Sequence, residues 1–206
     1  MKCRNERDAE YYLVCGKCLS IEGNLPANLH GSEWITVLTD AKQREELPTK
    51  ADDKLRNFIL SSALQGNIAP DSKKEVVKIG SEMEIPVKEE AIDQLARESG
   101  LVVGKWLIYS SPKSVNDVWK TVAAAYINNE LGINIKVSTA SQAGSNEHVI
   151  CVYTRNYLDM ADVGRVREKL WSLGFTRRLF YKPDIYTYLQ IYKKTFPQLR
   201  ASRYSS

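Results

Sequence analysis

Two stretches of this chain set ligand-capable side chains at telling intervals. The first is Cys15-Gly-Lys-Cys18, two thiols in a CxxC spacing, with Cys3 upstream and His30 downstream. Four such groups could hold zinc, whose structural sites take four thiolate or imidazole ligands. A second close pair is missing and the outer gaps are long, so the metal signal is weak. A redox pair would open a helix after a strand. "LVCGKCLSIEG" follows a strand-like run, but no helical pattern comes next. The second stretch, "FYKPDIYTYLQIYKK" (180–194), combines four tyrosines and a phenylalanine with three lysines. Aromatic rings that can stack and ammonium groups that can meet phosphate suit a base or a phosphate ester.

Elsewhere the means for catalysis are thin. His30 and His148 are the only histidines, and His148, at the start of a strand beside Glu147, reads as an ordinary edge-strand residue. Cys151 lies inside an apolar run and reads as an inert core thiol. Asp184 follows Pro183 in a turn, where Asp is favoured on structural grounds alone. There is no Gly-rich phosphate loop, no HExxH, no GxSxG and no kinase signature set. The expectation is a non-enzymatic binding protein, with no catalytic residue, no cofactor and no metal assigned. An enzyme acting on a phosphorylated small molecule would need Asp184 or His148 as its base.

Charge separates the chain into halves. Residues 1–100 carry 14 Lys and Arg against 18 Asp and Glu, a net −4, whereas residues 101–206 carry 15 against 7, a net +8. Nine of the eleven tyrosines lie in the basic half. Basic charge mixed with aromatics is the composition of a polyanion-binding surface. An acidic front half neutralising the back half across an internal interface is the structural alternative. The N-terminus is charged and holds no apolar stretch long enough for a secretory signal, and no run approaches a membrane helix. Four cysteines are too few for a disulfide scaffold, so the expected location is cytoplasmic, with the nucleus as a second possibility.

The elements that would position these residues are clearest after residue 100. "GKWLIYSS" (104–111) reads as a strand closed by Pro112. A helix follows, with Ser114 as cap, Asp117 three residues on as in a capping box, and Val115, Val118, Trp119, Val122 and Tyr126 on one stripe. Gly132 can end it. In "INIKVST" Ile133, Ile135 and Val137 alternate with Asn134, Lys136 and Ser138. "ASQAGSNE" is a loop by composition, and "HVICVYT" (148–154) is apolar on both faces, as a central strand would be. Asp159 caps a helix carrying Met160, Val163, Val166 or Arg167, Leu170 and Leu173 on one stripe, ended by Gly174. "TRRLFYK" and "IYTYLQIY" then read as strands. In the latter, alternation puts Ile185, Thr187, Leu189 and Ile191 on a core face and Tyr186, Tyr188, Gln190 and Tyr192 on the other.

Before residue 100, "EYYLVCG", "EWITVLT" and "KKEVVKIG" read as strands, and "DDKLRNFILSSALQG" and "VKEEAIDQLARESG" as helices. "NIAPDSKKE" and "EIPVK" read as turns too short to be linkers. The whole is expected to form one α+β domain over 1–206, with an acidic front half (1–100), a basic core (101–195) and a tail (196–206). Its helices would back one face of a curved, largely antiparallel sheet.

"KWLIYSSPKSVNDVWKTVAAAY" resembles the first strand and helix of translation initiation factor 4E, and "VICVYTRNYLDMADVGRVREKLWSLGF" resembles a later strand and helix of that fold. "KVST" (136–139), "ICVYT" (150–154) and "YKPDIYTYLQIY" (181–192) resemble the basophilic leukaemia-expressed protein family, a relative of the same fold. The resemblance covers about residues 100–195 and implies a curved sheet whose concave face binds ligands. It does not imply cap selectivity, because cap recognition sandwiches a methylated guanine between two Trp rings. The loops carrying them have no counterpart here, and Trp106 and Trp119 match core and dorsal positions. Tyr153 stands where the relatives place a Trp near the base.

The expected ligand is therefore RNA or a nucleotide-like phosphate compound. Its expected contacts are Lys136, Ser138, Thr139, Tyr153, Arg178, Lys182, Tyr186 and Tyr188. The alternative is a protein–protein adaptor that uses the helix-covered face, with Trp119 as the partner-binding residue.

Overall fold

A computed structural model describes residues 11–15, 26–28, 34–38, 76–79, 83–86, 89–143, 147–189, 191 and 202–206. In chain order the strands are β1 (Tyr11–Cys15), β2 (Trp34–Leu38), β3 (Val76–Ile79), β4 (Met83–Pro86), β5 (Gly104–Ser110), β6 (Asn134–Ser138), β7 (His148–Thr154), β8 (Phe180–Pro183) and β9 (Tyr204–Ser205). The helices are α1 (Glu89–Ser99), α2 (Val115–Ile127), α3 (Ala140–Ala143), α4 (Met160–Ser172) and α5 (Asp184–Tyr188). Seven strands form one open sheet in the order β1-β2-β6-β7-β5-β8-β9. From β2 to β9 every pairing is antiparallel; β1 adds to β2 in parallel. Strands β3 and β4 make a separate antiparallel ribbon. The chain is thus an α+β protein, as the pattern predicts.

Alternation decides which side of the sheet is core. Ile35, Val37, Trp106, Ile108, Ile135, Val137, Ile150 and Val152 share one face and are buried with Trp119, Val122, Val163, Val166 and Leu170 of α2 and α4. Those helical residues recur at intervals of three and four, which lays one stripe of each helix on the sheet. The Trp106 indole donates to the Val163 carbonyl at 3.0 Å, fixing α4 over β5. Asp159 caps α4 as expected, accepting from the amides of Ala161 and Asp162, and Gly174 ends it at φ +95°. Ser114, by contrast, makes no capping bond; its hydroxyl meets those of Ser110 and Ser111. The left-handed residue after α2 is Asn129, at φ +59°, and not Gly132.

Five expectations need correction. The described part of "IYTYLQIY", residues 185–189, is not a strand: β8 stops at Pro183, which has no amide to donate to a ladder, and the chain turns into α5. Asp184 opens that helix, where a carboxylate meets the positive end of the peptide dipoles. Ile185, Tyr186 and Leu189 then join the core together, so Tyr186 falls on the same side as the residues it was expected to oppose; Gln190 and Tyr192 of the expected ladder lie outside the described residues. Trp119 is fully buried in the core, so a partner cannot reach it. "EIPVK" contributes Glu84, Ile85 and Pro86 to β4, and the "ASQAGSNE" loop begins with the single turn of α3. His148 is buried on the central strand β7, its Nδ1 2.7 Å from the Ser138 carbonyl oxygen, rather than on an edge. The helix expected over "DDKLRNFILSSALQG" and the ligand set Cys3, Cys18 and His30 lie outside the described residues; Cys15 ends β1.

The C-terminal segment is tied down by charge. Arg203 forms ion pairs with Glu89 and with Asp93, the latter at 2.8 Å, and Asp93 also accepts from the Tyr157 hydroxyl at 2.7 Å. These contacts bind β9 and the β7–α4 connection to α1. Burial and the hydrogen bond to Asp93 both push the Tyr157 phenol up.

Candidate functional site

Alternation that buries one face of the sheet sends the intervening residues to the other, away from α2 and α4. Pairing registers arrange them in three transverse rows. In the first, Lys182 of β8 stands opposite Lys105 of β5, Lys105 opposite Tyr153 of β7, and Tyr153 opposite Asn134 of β6. In the second run Phe180, Leu107, Cys151, Lys136 and Thr36. In the third, Tyr109 opposes Val149, and Ser138 opposes Trp34.

Cations and rings interleave across these rows. The Lys136 ammonium lies 4.1 Å from the centroid of the Trp34 ring and 5.7 Å from that of Tyr153. Lys105 lies 5.2 Å from the Tyr153 ring, and its Nζ forms an ion pair with Asp184 Oδ1 at 2.5 Å. Each cation–π contact is worth about 0.5–2 kcal/mol, most where water is excluded. Asp184 reaches this face because α5 begins immediately after β8, and its amide bonds the Val103 carbonyl at 2.9 Å.

The face is not an open platform. Tyr153 is 2% exposed and Lys182 8%, whereas Tyr109 at 54% and Phe180 at 41% mark a rim open to solvent. Trp34, Thr36, Asn134 and Lys136 are half-buried. Burial, with Lys105 adding to it and Asp184 opposing, pulls the Lys182 ammonium down to about 8. Burial also raises the Cys151 thiol, against the pull of Lys105 and Lys136, so this thiol is held in its neutral form.

Of the expected ligand contacts, Lys136, Tyr153 and Lys182 come together on this face. Ser138 is on the same side but buried, its hydroxyl accepting from the Val149 amide at 2.9 Å. Thr139 is fully buried next to α3. Arg178 lies before β8, stacked on Phe180 and bonded to the Ser205 hydroxyl at 2.7 Å. Tyr186 is fully buried in the core, and Tyr188 is partly buried against it. Trp34, Lys105 and Asp184 join the site although they were not assigned to it. Lys105 carried a signal, because it alternates with the core residue Trp106 in "GKWLIYS". Trp34 carried none, since only the β2–β6 pairing brings it to Lys136. Among the described residues no group of three or more His, Cys, Asp or Glu could hold a metal. Nor is any helix among them long and apolar enough to cross a membrane.

The family model described as basophilic leukemia-expressed protein Bles03 matches residues 29–190. That span holds β2 through α5 and every residue of the three rows.

Proposed function

The chain belongs to this family, and we propose that it is a binding protein for an anionic, phosphate-bearing ligand of nucleotide type. The ligand is held on the sheet face opposite α2 and α4. One observation carries the reading: three lysines from β5, β6 and β8 share that face with the Trp34 and Tyr153 rings. Ammonium groups beside rings, partly withdrawn from water, suit phosphate oxygens and a stacked base. The enclosure of Lys182 and Tyr153 favours a small ligand or a chain end over a long RNA tract laid across the sheet. The cap sandwich has no counterpart, because Trp34 is occupied with Lys136 and its partner ring is a tyrosine.

The test is a titration of a nucleoside diphosphate and of a short single-stranded RNA at about 50 and 200 mM salt. Binding should weaken steeply with salt and fall roughly ten-fold in Lys136→Ala, the loss expected for one charge-assisted contact. Salt-insensitive binding, or none at low salt, would sink the reading. An adaptor role would have to use another anchor than Trp119, and on α4 Met160 and Trp171 are the exposed apolar residues.

A further inference from the structure

Lys105 and Lys182 are direct cross-strand partners on the enclosed face, and like charges placed directly opposite destabilise a sheet. The fold keeps both of these lysines largely out of water, with the Asp184 carboxylate bound to Lys105, a departure from local pairing rules of the kind found at functional sites. We propose that Lys182 is a nucleophilic amine that captures the carbonyl carbon of an aldehyde or ketone ligand whose phosphate is held by Lys105 and Lys136. This rests on the anionic-ligand reading and adds to it the ligand's second functional group.

The chemistry needs no further reactant. The Lys182 nitrogen lone pair adds to the carbonyl carbon as the C=O π pair moves onto oxygen. The nitrogen's proton passes to that oxygen, giving a carbinolamine. Loss of the hydroxyl with the remaining nitrogen proton releases water and leaves a C=N bond. An amine does this only when unprotonated, and burial beside Lys105 lowers the pH at which Lys182 gives up its proton, while Asp184 limits the effect. The titratable groups that share its face are Lys105, Asp184, Tyr153, Cys151, Lys136 and, at the rim, Tyr109; the thiol is held neutral by burial, which leaves Lys182 as the amine nucleophile of the set. Phe180 and Tyr109 form the solvent-open rim through which a ligand enters.

The experiment uses the full chain and pyridoxal 5′-phosphate, a phosphorylated aldehyde, as probe. Borohydride reduction freezes any imine and mass spectrometry locates it. Near neutral pH, Lys182 should carry the adduct at least about ten-fold above any exposed lysine, because its unprotonated fraction is far larger. Inorganic phosphate should compete, and Lys182→Arg should remove the adduct. Labelling confined to exposed lysines, with phosphate still raising the melting temperature, overturns the nucleophile and leaves the anion site standing. Neither an adduct at Lys182 nor a phosphate shift removes both.

Discussion

Lys105 and Lys182 face each other across the β5–β8 pair, and the Asp184 carboxylate that begins the next helix is bound to Lys105 at 2.5 Å. The carboxylate thus settles one lysine of the pair more than the other. The Lys182 ammonium, brought down to about 8, carries a cost that folding must meet whenever the group is protonated.

That cost has a sign and a pH window. An unfolded lysine titrates near 10.4, so between about pH 8 and 10.4 the unfolded chain binds more protons than the folded one. Stability from this group therefore rises with pH through that window, and the penalty is fully present below it. Lys182→Met should be more stable than the parent at pH 7, by on the order of 2 kcal/mol. The advantage should shrink to nothing above about pH 10.4. Urea unfolding at both pH values checks it, and an unchanged or lower midpoint at pH 7 contradicts it.

Removing the carboxylate tests the same pair from the other side. Asp184→Asn deletes the Lys105 ion pair, whose two side chains are 11% and 15% exposed. The loss should be about 1–3 kcal/mol, below the figure for a fully dry pair. Because Asp184 supports the protonated form of Lys182, its loss should also move the Lys182 midpoint lower. Amine labelling of Lys182 as a function of pH reads this directly; a midpoint that stays or rises would show that Asp184 does not act on Lys182.

Gly132 is held against β7. A Cβ there would lie 1.7 Å from the Tyr153 carbonyl oxygen, which also accepts from the Ile133 amide at 2.9 Å. Backbone, not a flexible side chain, is in the way. Gly132→Ala should therefore cost about 3 kcal/mol or more, at the upper end for overpacking. It should also weaken anion binding by shifting Tyr153 away from Lys105. Parent-like stability in denaturant would show that the α2–β6 connection can move aside.

The sequence discloses some of these residues and hides others, for physical reasons. Strands β5 and β6 and helices α2 and α4 declared themselves because each has one dry face, which imposes a period, whereas β7, covered on both faces, showed as an unbroken apolar run. Lys136 was legible as an out-of-phase residue of β6, Tyr153 from its place in the family resemblance, and Lys182 from its place in the aromatic and basic run 180–194. The failure at residues 185–192 came from a period-two pattern of β-branched and aromatic residues that a proline overrode. Once Pro183 ends β8, Ile185 and Leu189 satisfy the core equally well four residues apart on a helix. Trp34 was invisible as a site residue because its role exists only through pairing with a strand about 100 residues later.

The buried carboxylate of α1 offers a fourth test, remote from the lysine face. Asp93 accepts from Tyr157 and pairs with Arg203, so it joins three separate parts of the chain. Asp93→Asn keeps the shape but leaves the Arg203 guanidinium with less opposing charge beside it. A loss of about 2–4 kcal/mol is expected. The β9 amides should exchange faster with solvent as the tail loosens. Nucleotide binding should be unchanged, because no residue of the three rows touches Asp93; a binding loss equal to that of Lys136→Ala would mean the two regions are coupled.

Trp119 and Trp171 make the last prediction. Both lie on helices, yet Trp119 is fully buried while Trp171 is 55% exposed, its ring 5.1 Å from the Arg167 guanidinium carbon. Iodide should quench a large part of the native fluorescence, and Trp171→Phe should abolish most of that part at little cost in stability, since an exposed ring contributes little to the core. If quenchable emission survives even in Trp34→Phe/Trp171→Phe, which also removes the half-buried Trp34, an indole assigned to the interior is reaching solvent. The adaptor reading that needs Trp119 at the surface would then regain its footing.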